Sequence, residues 1–196
     1  HPEIAFVWSR RGLWKADAPT GGLALARHFD LVIEPGDLAA AADAGPTTAC
    51  RAGVTRVDPV LLLEPGDLLP RAEARRRLGL RADGPAALVQ LGAGNINDTR
   101  SLTRTVIELL SRWPGLQICV ATPPIATVPP DLPPSVTPLS RFPLMAFAHA
   151  FDVGVAAAGY HTVHEAIMAG LPHLFLPNAQ TRMDDHERSL AAAAEQ

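Results

Sequence analysis

The chain has 196 residues, of which 47% are hydrophobic and 19% charged, with a formal net charge of -3. These values are those of an ordinary folded domain with a sizeable core, and they argue against a disordered chain and against electrostatically driven nucleic-acid binding. No run approaches the ~18 apolar residues of a membrane span, and neither a transmembrane helix nor a signal peptide is expected. Cys50 and Cys119 lack metal-ligand spacing and read as two reduced thiols, which points to the cytoplasm.

In chain order the pattern alternates. Ile4 to Trp8 reads as a strand, Gly22 to His28 as a helix, and Phe29 to Ile33 as a strand stopped by Glu34-Pro35-Gly36-Asp37. Val54 to Val57 and Val60 to Leu63 are short extended pieces around Pro59. A boundary follows, dividing residues 1–65 from 66–196. Past it, Arg71 to Leu78 is a helix whose Arg75, Arg76 and Arg77 read as a solvated face, with phosphate or partner contact as the alternative. Ala86 to Leu91 begins a second α/β region, with a helix from about Asp98 to Trp113 and a strand from Leu116 to Ala121. The proline-rich stretch Pro123 to Pro138 reads as a surface connection. Such alternation predicts an α/β fold with a Rossmann-like, doubly wound parallel sheet. The chain opens at His1 close to a strand and ends inside the alanine-rich helix from Ser189 to Gln196, so both ends read as cut and the sequence as a fragment of a two-domain protein.

The segment from Asp152 to Pro177 is a βαβ unit. Val153 and Val155 belong to a strand closed by Gly159; Val163, Ala166 and Ile167 recur at helical spacing; Gly170 stops the helix and Leu174 to Leu176 form the next strand. A helix that starts at the carboxyl end of a parallel sheet favours an anion at its N-terminus, and Gly159 allows a phosphate close to the backbone. Glu165, one turn on, suits a vicinal diol because an ionised carboxylate only accepts hydrogen bonds. A glycine turn and an early Glu are also favourable with no ligand at all. Leu91 to Asp98 is a second glycine turn, with Gly92, Gly94 and Asn95. Asn97 stands where a dinucleotide fingerprint needs its third glycine, and the loop has no P-loop lysine; a purely structural turn is the alternative. His161 and His164 could share a helix face with a metal, but H-E-x-x-H is absent and no third ligand is evident, so no metal is expected and His164 reads as structural. Asp184 and Asp185 could simply cap the helix that follows them.

The order A-G-Y-H-T-V-H-E-A-I-M-A-G-L-P-H-L-F-L-P, followed by D-D, resembles the nucleotide-sugar signature of GT-B glycosyltransferases, in particular the peptidoglycan GlcNAc transferase and related UDP-glycosyltransferases. The resemblance covers most of the chain, strongly from Ala86 onward. It implies a GT-B fold in which residues 1–65 are the end of the acceptor-side domain and the interdomain link, and 66–196 an incomplete donor-binding domain. It places Gly92, Gly94 and Asn95 beside the donor diphosphate and Gly159, Tyr160, His161 and Thr162 at the phosphate-binding helix start. Glu165 falls on the ribose, and Asp184 and Asp185 on the sugar hydroxyls. In Ser140 to Met145, Arg141 would offer backbone groups to a uracil edge and Leu144 would pack on its face, although Phe142 and Leu144 equally suit a core. The implied activity is a metal-independent, hexosyltransferase-type transfer from a UDP-sugar co-substrate to a small-molecule or lipid-linked acceptor. No cofactor and no nucleic-acid partner is implied, and a lipid-linked acceptor would bring peripheral contact at the inner face of the membrane. The general base belongs to the N-terminal domain of that fold and is not found in these residues. A nucleotide-sugar epimerase of the same fold and a non-catalytic nucleotide-binding module are the alternatives.

Overall fold

The computed structural model describes residues 3–92, 99–122, 131–178 and 181–194. In chain order the strands and α-helices are β1 (Val7–Ser9), β2 (Leu31–Pro35), β3 (Val54–Val57), α1 (Arg71–Leu78), β4 (Ala86–Gln90), α2 (Arg100–Leu110), β5 (Gln117–Ala121), β6 (Val136–Leu139), β7 (Val153–Ala157), α3 (Tyr160–Met168), β8 (His173–Leu176) and α4 (His186–Ala194). They form two compact units, His1–Val60 with Pro177–Gln196, and Leu61–Leu176.

The first unit carries a parallel sheet in the order β1-β2-β3, with Val7 opposite Leu31 and Val32 opposite Val54. β1 and β2 both begin later than their apolar runs suggest. Before the ladder starts, the Asp30 carboxylate accepts the Phe6 N–H at 2.8 Å, and Ile4 and Phe6 remain exposed. The predicted helix at residues 22–28 is a 3₁₀ segment, Leu23–His28, closed by the Phe29 N–H donating to the Ala26 carbonyl. Trp14, Ala18 and Leu23 make a small core with Trp8 against it. Gly45 lies so close to Trp14 that an added Cβ would stand 2.2 Å from the Trp14 carbonyl oxygen.

Beside this core is a buried charge cluster. Glu34 is paired with Arg10 at 3.1 Å and with Arg51 at 2.8 Å, and Arg51 reaches Asp43 at 2.8 Å. Arg10 also donates to the Cys50 carbonyl. With Arg56 also 3.6 Å from Glu34, three arginines and two carboxylates thus offset one another where a lone charge would be costly.

The second unit is a five-stranded parallel sheet in the order β6-β5-β4-β7-β8. The chain runs outward from β4 through β5 to β6, then crosses back to place β7 on the other side of β4. The β-pleat sends alternate side chains to two cores. Ala86, Leu88 and Cys119 pack with Leu78 of α1 and Ala166 of α3, whereas Val89, Ile118, Val120 and Val155 pack with Val106 and Ile107 of α2. Cys119 is unbridged, and burial pushes its thiol up to about 11; Cys50 is unbridged and exposed.

Three readings of the sequence are corrected here. Arg75 does not belong to a solvated face: its side chain is 1% exposed and donates to the carbonyls of Ala150, Arg81 and Ala82 and to Asp152. The helix therefore docks through a cation, made tolerable by four oxygen acceptors. The stretch expected as a connection up to Pro138 ends in β6, an edge strand, which is the place in a sheet that accepts proline. Val60 to Leu63 contains no strand. At the other end of the unit, Gly170 stops α3 with φ 64°, while the Leu171 N–H donates back to the Ala166 carbonyl at 3.1 Å, a left-handed helix ending that suits glycine.

Candidate functional site

The second unit contains a cavity of about 400 Å³ at the carboxyl end of its sheet. Its floor includes Gln90, Ala121 and Leu139, the last residues of β4, β5 and β6. One wall comes from His161, Thr162 and Glu165 of α3, another from Arg141 to Met145, and Leu62 adds an edge. The strand order reverses between β4 and β7, and in open parallel sheets that switch point is where ligands bind. The volume lies in the range of small-ligand sites.

Gly159 is the N-cap of α3, in extended conformation, and the first main-chain bond of the helix runs from the Val163 N–H to the Gly159 carbonyl at 3.0 Å. A Cβ at Gly159 would meet only Thr162 Oγ1, at 3.9 Å, so the approach to the helix start is open. Tyr160 is buried. Its ring lies 4.3 Å from that of His164, whose Nδ1 is 2.8 Å from the Tyr160 carbonyl. Tyr160 and His164 therefore brace the first turn from inside, while His161 and Thr162 face the cavity.

Glu165 is half-buried in the cavity wall. Desolvation raises its carboxyl above the ordinary value, and a hydrogen bond from the Leu62 backbone acts in the opposite direction. Gln90 has its Oε1 buried without a hydrogen-bond partner among the described residues. Phe142, which the sequence allowed as a core residue, is instead 78% exposed. Leu144 is only partly buried: it packs against the core and also lines the cavity.

Of the residues singled out from the sequence, Arg141, Leu144, His161, Thr162 and Glu165 are brought together in this cavity, with Gly159 at the start of the helix that carries three of them. Gly92 follows β4 with φ 93°, a left-handed conformation that suits glycine, while Gly94 and Asn95 lie outside the described residues. Asp184 and Asp185 belong to the first unit. There the backbone of residues 183–185 pairs with that of Leu13 to Lys15, Asp184 is ion-paired with Arg11, and Asp185 Oδ1 accepts the Arg188 N–H at 3.0 Å near the start of α4. Gln90 and Leu62 were not foreseen. A single polar residue ending the apolar run from Ala86 was the available signal for Gln90.

Layered parallel strands, the switch point and the cavity over it define a Rossmann-like α/β fold. No family model matches the chain, and no curated protein matches it. Among solved structures it is similar to the spinosyn rhamnosyltransferase SpnG complexed with thymidine diphosphate, with a TM-score of 0.57 and 21% identity over 98% of this chain and 53% of that one. It is also similar to the spinosyn forosaminyltransferase SpnP (TM-score 0.54, 15% identity, 85% of this chain and 40% of that one). A third similar structure is MurG of Acinetobacter baumannii (TM-score 0.53, 19% identity, 89% of this chain and 53% of that one). The chain spans about half the length of SpnG and of MurG.

Proposed function

We propose that this chain is the nucleotide-sugar-binding part of a glycosyltransferase that moves a hexose-type sugar from a UDP-sugar to an acceptor hydroxyl or amine. The observation that carries the reading is the cavity at the switch point, with the start of α3, Glu165 and the Arg141 to Met145 segment in its walls. The glycosyltransferase neighbours support it, one of them crystallised with a nucleoside diphosphate.

In this reading the base enters against Leu144 and the backbone around Arg141, and Glu165 accepts hydrogen bonds from ribose hydroxyls. The diphosphate lies at the amides of the first turn of α3, beside His161 and Thr162. As the bond from sugar to phosphate breaks, negative charge grows on the departing diphosphate. A helix N-terminus stabilises that charge through oriented amides already in place, without a metal ion. Gly92, just past the end of β4, would stand near the same phosphates. No residue is assigned as the general base that activates the acceptor. The acceptor is a small or lipid-linked molecule; among the described residues no helix is long and apolar enough to cross a membrane.

Calorimetric titration with UDP, TDP, GDP and ADP tests the reading. Binding of a pyrimidine diphosphate that is lost in Glu165→Ala supports it. A folded chain that binds none of the four sinks it.

A further inference from the structure

Gln90 ends β4 on the floor of the cavity, and its Oε1 is buried with no hydrogen-bond partner. Buried carbonyl oxygens are nearly always paired, so an orphan in a cavity wall is a group for which the described residues supply no donor. The oxygen and nitrogen of a glutamine amide are nearly equal in size, so rotation about the last side-chain bond can exchange them on the cavity floor.

Glu165 lines the same cavity from α3, and its ionised carboxylate is acceptor-only. Much of the remaining wall is apolar, including Leu62, Ala121, Leu139 and Met145. Arg141 brings only donors. A ligand that settles here must therefore present hydrogen-bond donors to two separate acceptors, and a ribose does this with adjacent hydroxyls. A 2′-deoxyribose has lost one of them.

We propose that Gln90 is a second ribose-reading residue, acting with Glu165 on the vicinal diol, so that the site takes ribonucleoside diphosphates and discriminates against their 2′-deoxy counterparts. The inference rests on the nucleotide-sugar reading above and narrows it to ribonucleotide donors.

The test is titration of the whole chain with UDP, 2′-deoxy-UDP, ADP and 2′-deoxy-ADP, for the wild type, Gln90→Met and Glu165→Ala. Losing a hydrogen bond to a buried acceptor costs on the order of ten-fold in affinity, so the wild type is expected to bind its preferred ribonucleotide about ten-fold or more tightly than the deoxy form. Gln90→Met, close in length but apolar, should weaken the ribonucleotide about ten-fold and the deoxy form less than about two-fold, collapsing the ratio. Equal binding of the two forms by the wild type overturns the proposal, as does an undiminished ratio in folded Gln90→Met. If Gln90→Met fails to fold, Gln90→Leu takes its place and the wild-type ratio still decides. Binding without ribose discrimination removes this inference alone; no nucleotide binding by the folded wild type removes it together with the reading on which it rests.

Discussion

The charge cluster of the first unit and the cavity of the second both withdraw polar groups from water, and they differ in how far those groups pair with one another. Arg10, Glu34, Asp43 and Arg51 interlock, with Glu34 taking both arginines and also Arg56 at 3.6 Å, and Asp43 sharing Arg51. Gln90 and Glu165 line a concavity instead, the first with an orphaned oxygen and the second with a carboxyl that burial makes harder to ionise. Charges that pair with one another hold a fold together even where one nitrogen, Arg10 Nε, stays unpartnered among the described residues, whereas acceptors gathered in a cavity wall are where a ligand can add donors.

The sharpest way to break this contrast is Glu34→Ala. It leaves Arg10, whose side chain is 1% exposed, without its carboxylate, and removing one partner of a buried pair costs about 3 to 5 kcal/mol. Urea denaturation should show a loss of that order; a loss below about 1 kcal/mol would make the cluster equivalent to surface pairs. Glu165→Ala should do the reverse, changing unfolding little while nucleotide affinity falls by about 1.5 to 3 kcal/mol, roughly 10- to 150-fold. A variant that unfolds early yet binds normally would turn Glu165 into a structural residue.

Asp152 offers a finer comparison. Its partner Arg75 is buried, but its other partner Arg71 is 44% exposed, so Arg71→Ala is expected to cost only about 0.2 to 1 kcal/mol in denaturation. The smallest effect concerns pH. The native carboxyl of Glu165 is raised from 4.5, so between that pH and its native value the folded state holds more protons than the unfolded one. Its contribution to stability therefore declines as pH rises through that window, and Glu165→Gln should remove this slope. Nucleotide affinity of the wild type should move the other way, strengthening as the carboxylate ionises. Parallel melting and titration series from pH 4 to 7 check both signs, and identical melting slopes for the two proteins would contradict the assignment.

Where hydrogen bonds and apolar spacing are local, the chain announces its structure. Arg71 to Leu78 was delimited by its own residues, and the turn at Gly159, the helix from Tyr160 and the stop at Gly170 depend on neighbours within a few positions. Glu165 could be placed on that helix for the same reason. Its placement in a cavity with Arg141 and Gln90 could not, because β4, the Arg141 segment and α3 meet only through the parallel sheet.

Residues whose surroundings depend on distant segments share this cause. Composition makes Arg75 a surface residue until α1 docks it on the carbonyl of Ala150, 75 residues away. Phe142 suits a core by composition and is exposed in the fold. Asp184 sits 173 positions from Arg11, and its place beside β1 to β3 depends on the chain returning to the first unit after β8. The order of residues was thus sufficient for helices, turns and a parallel α/β class, since these follow from interactions over a few positions. Which polar groups became paired and which were left facing a cavity was settled by tertiary packing, because only there do distant segments compete for the same donors and acceptors.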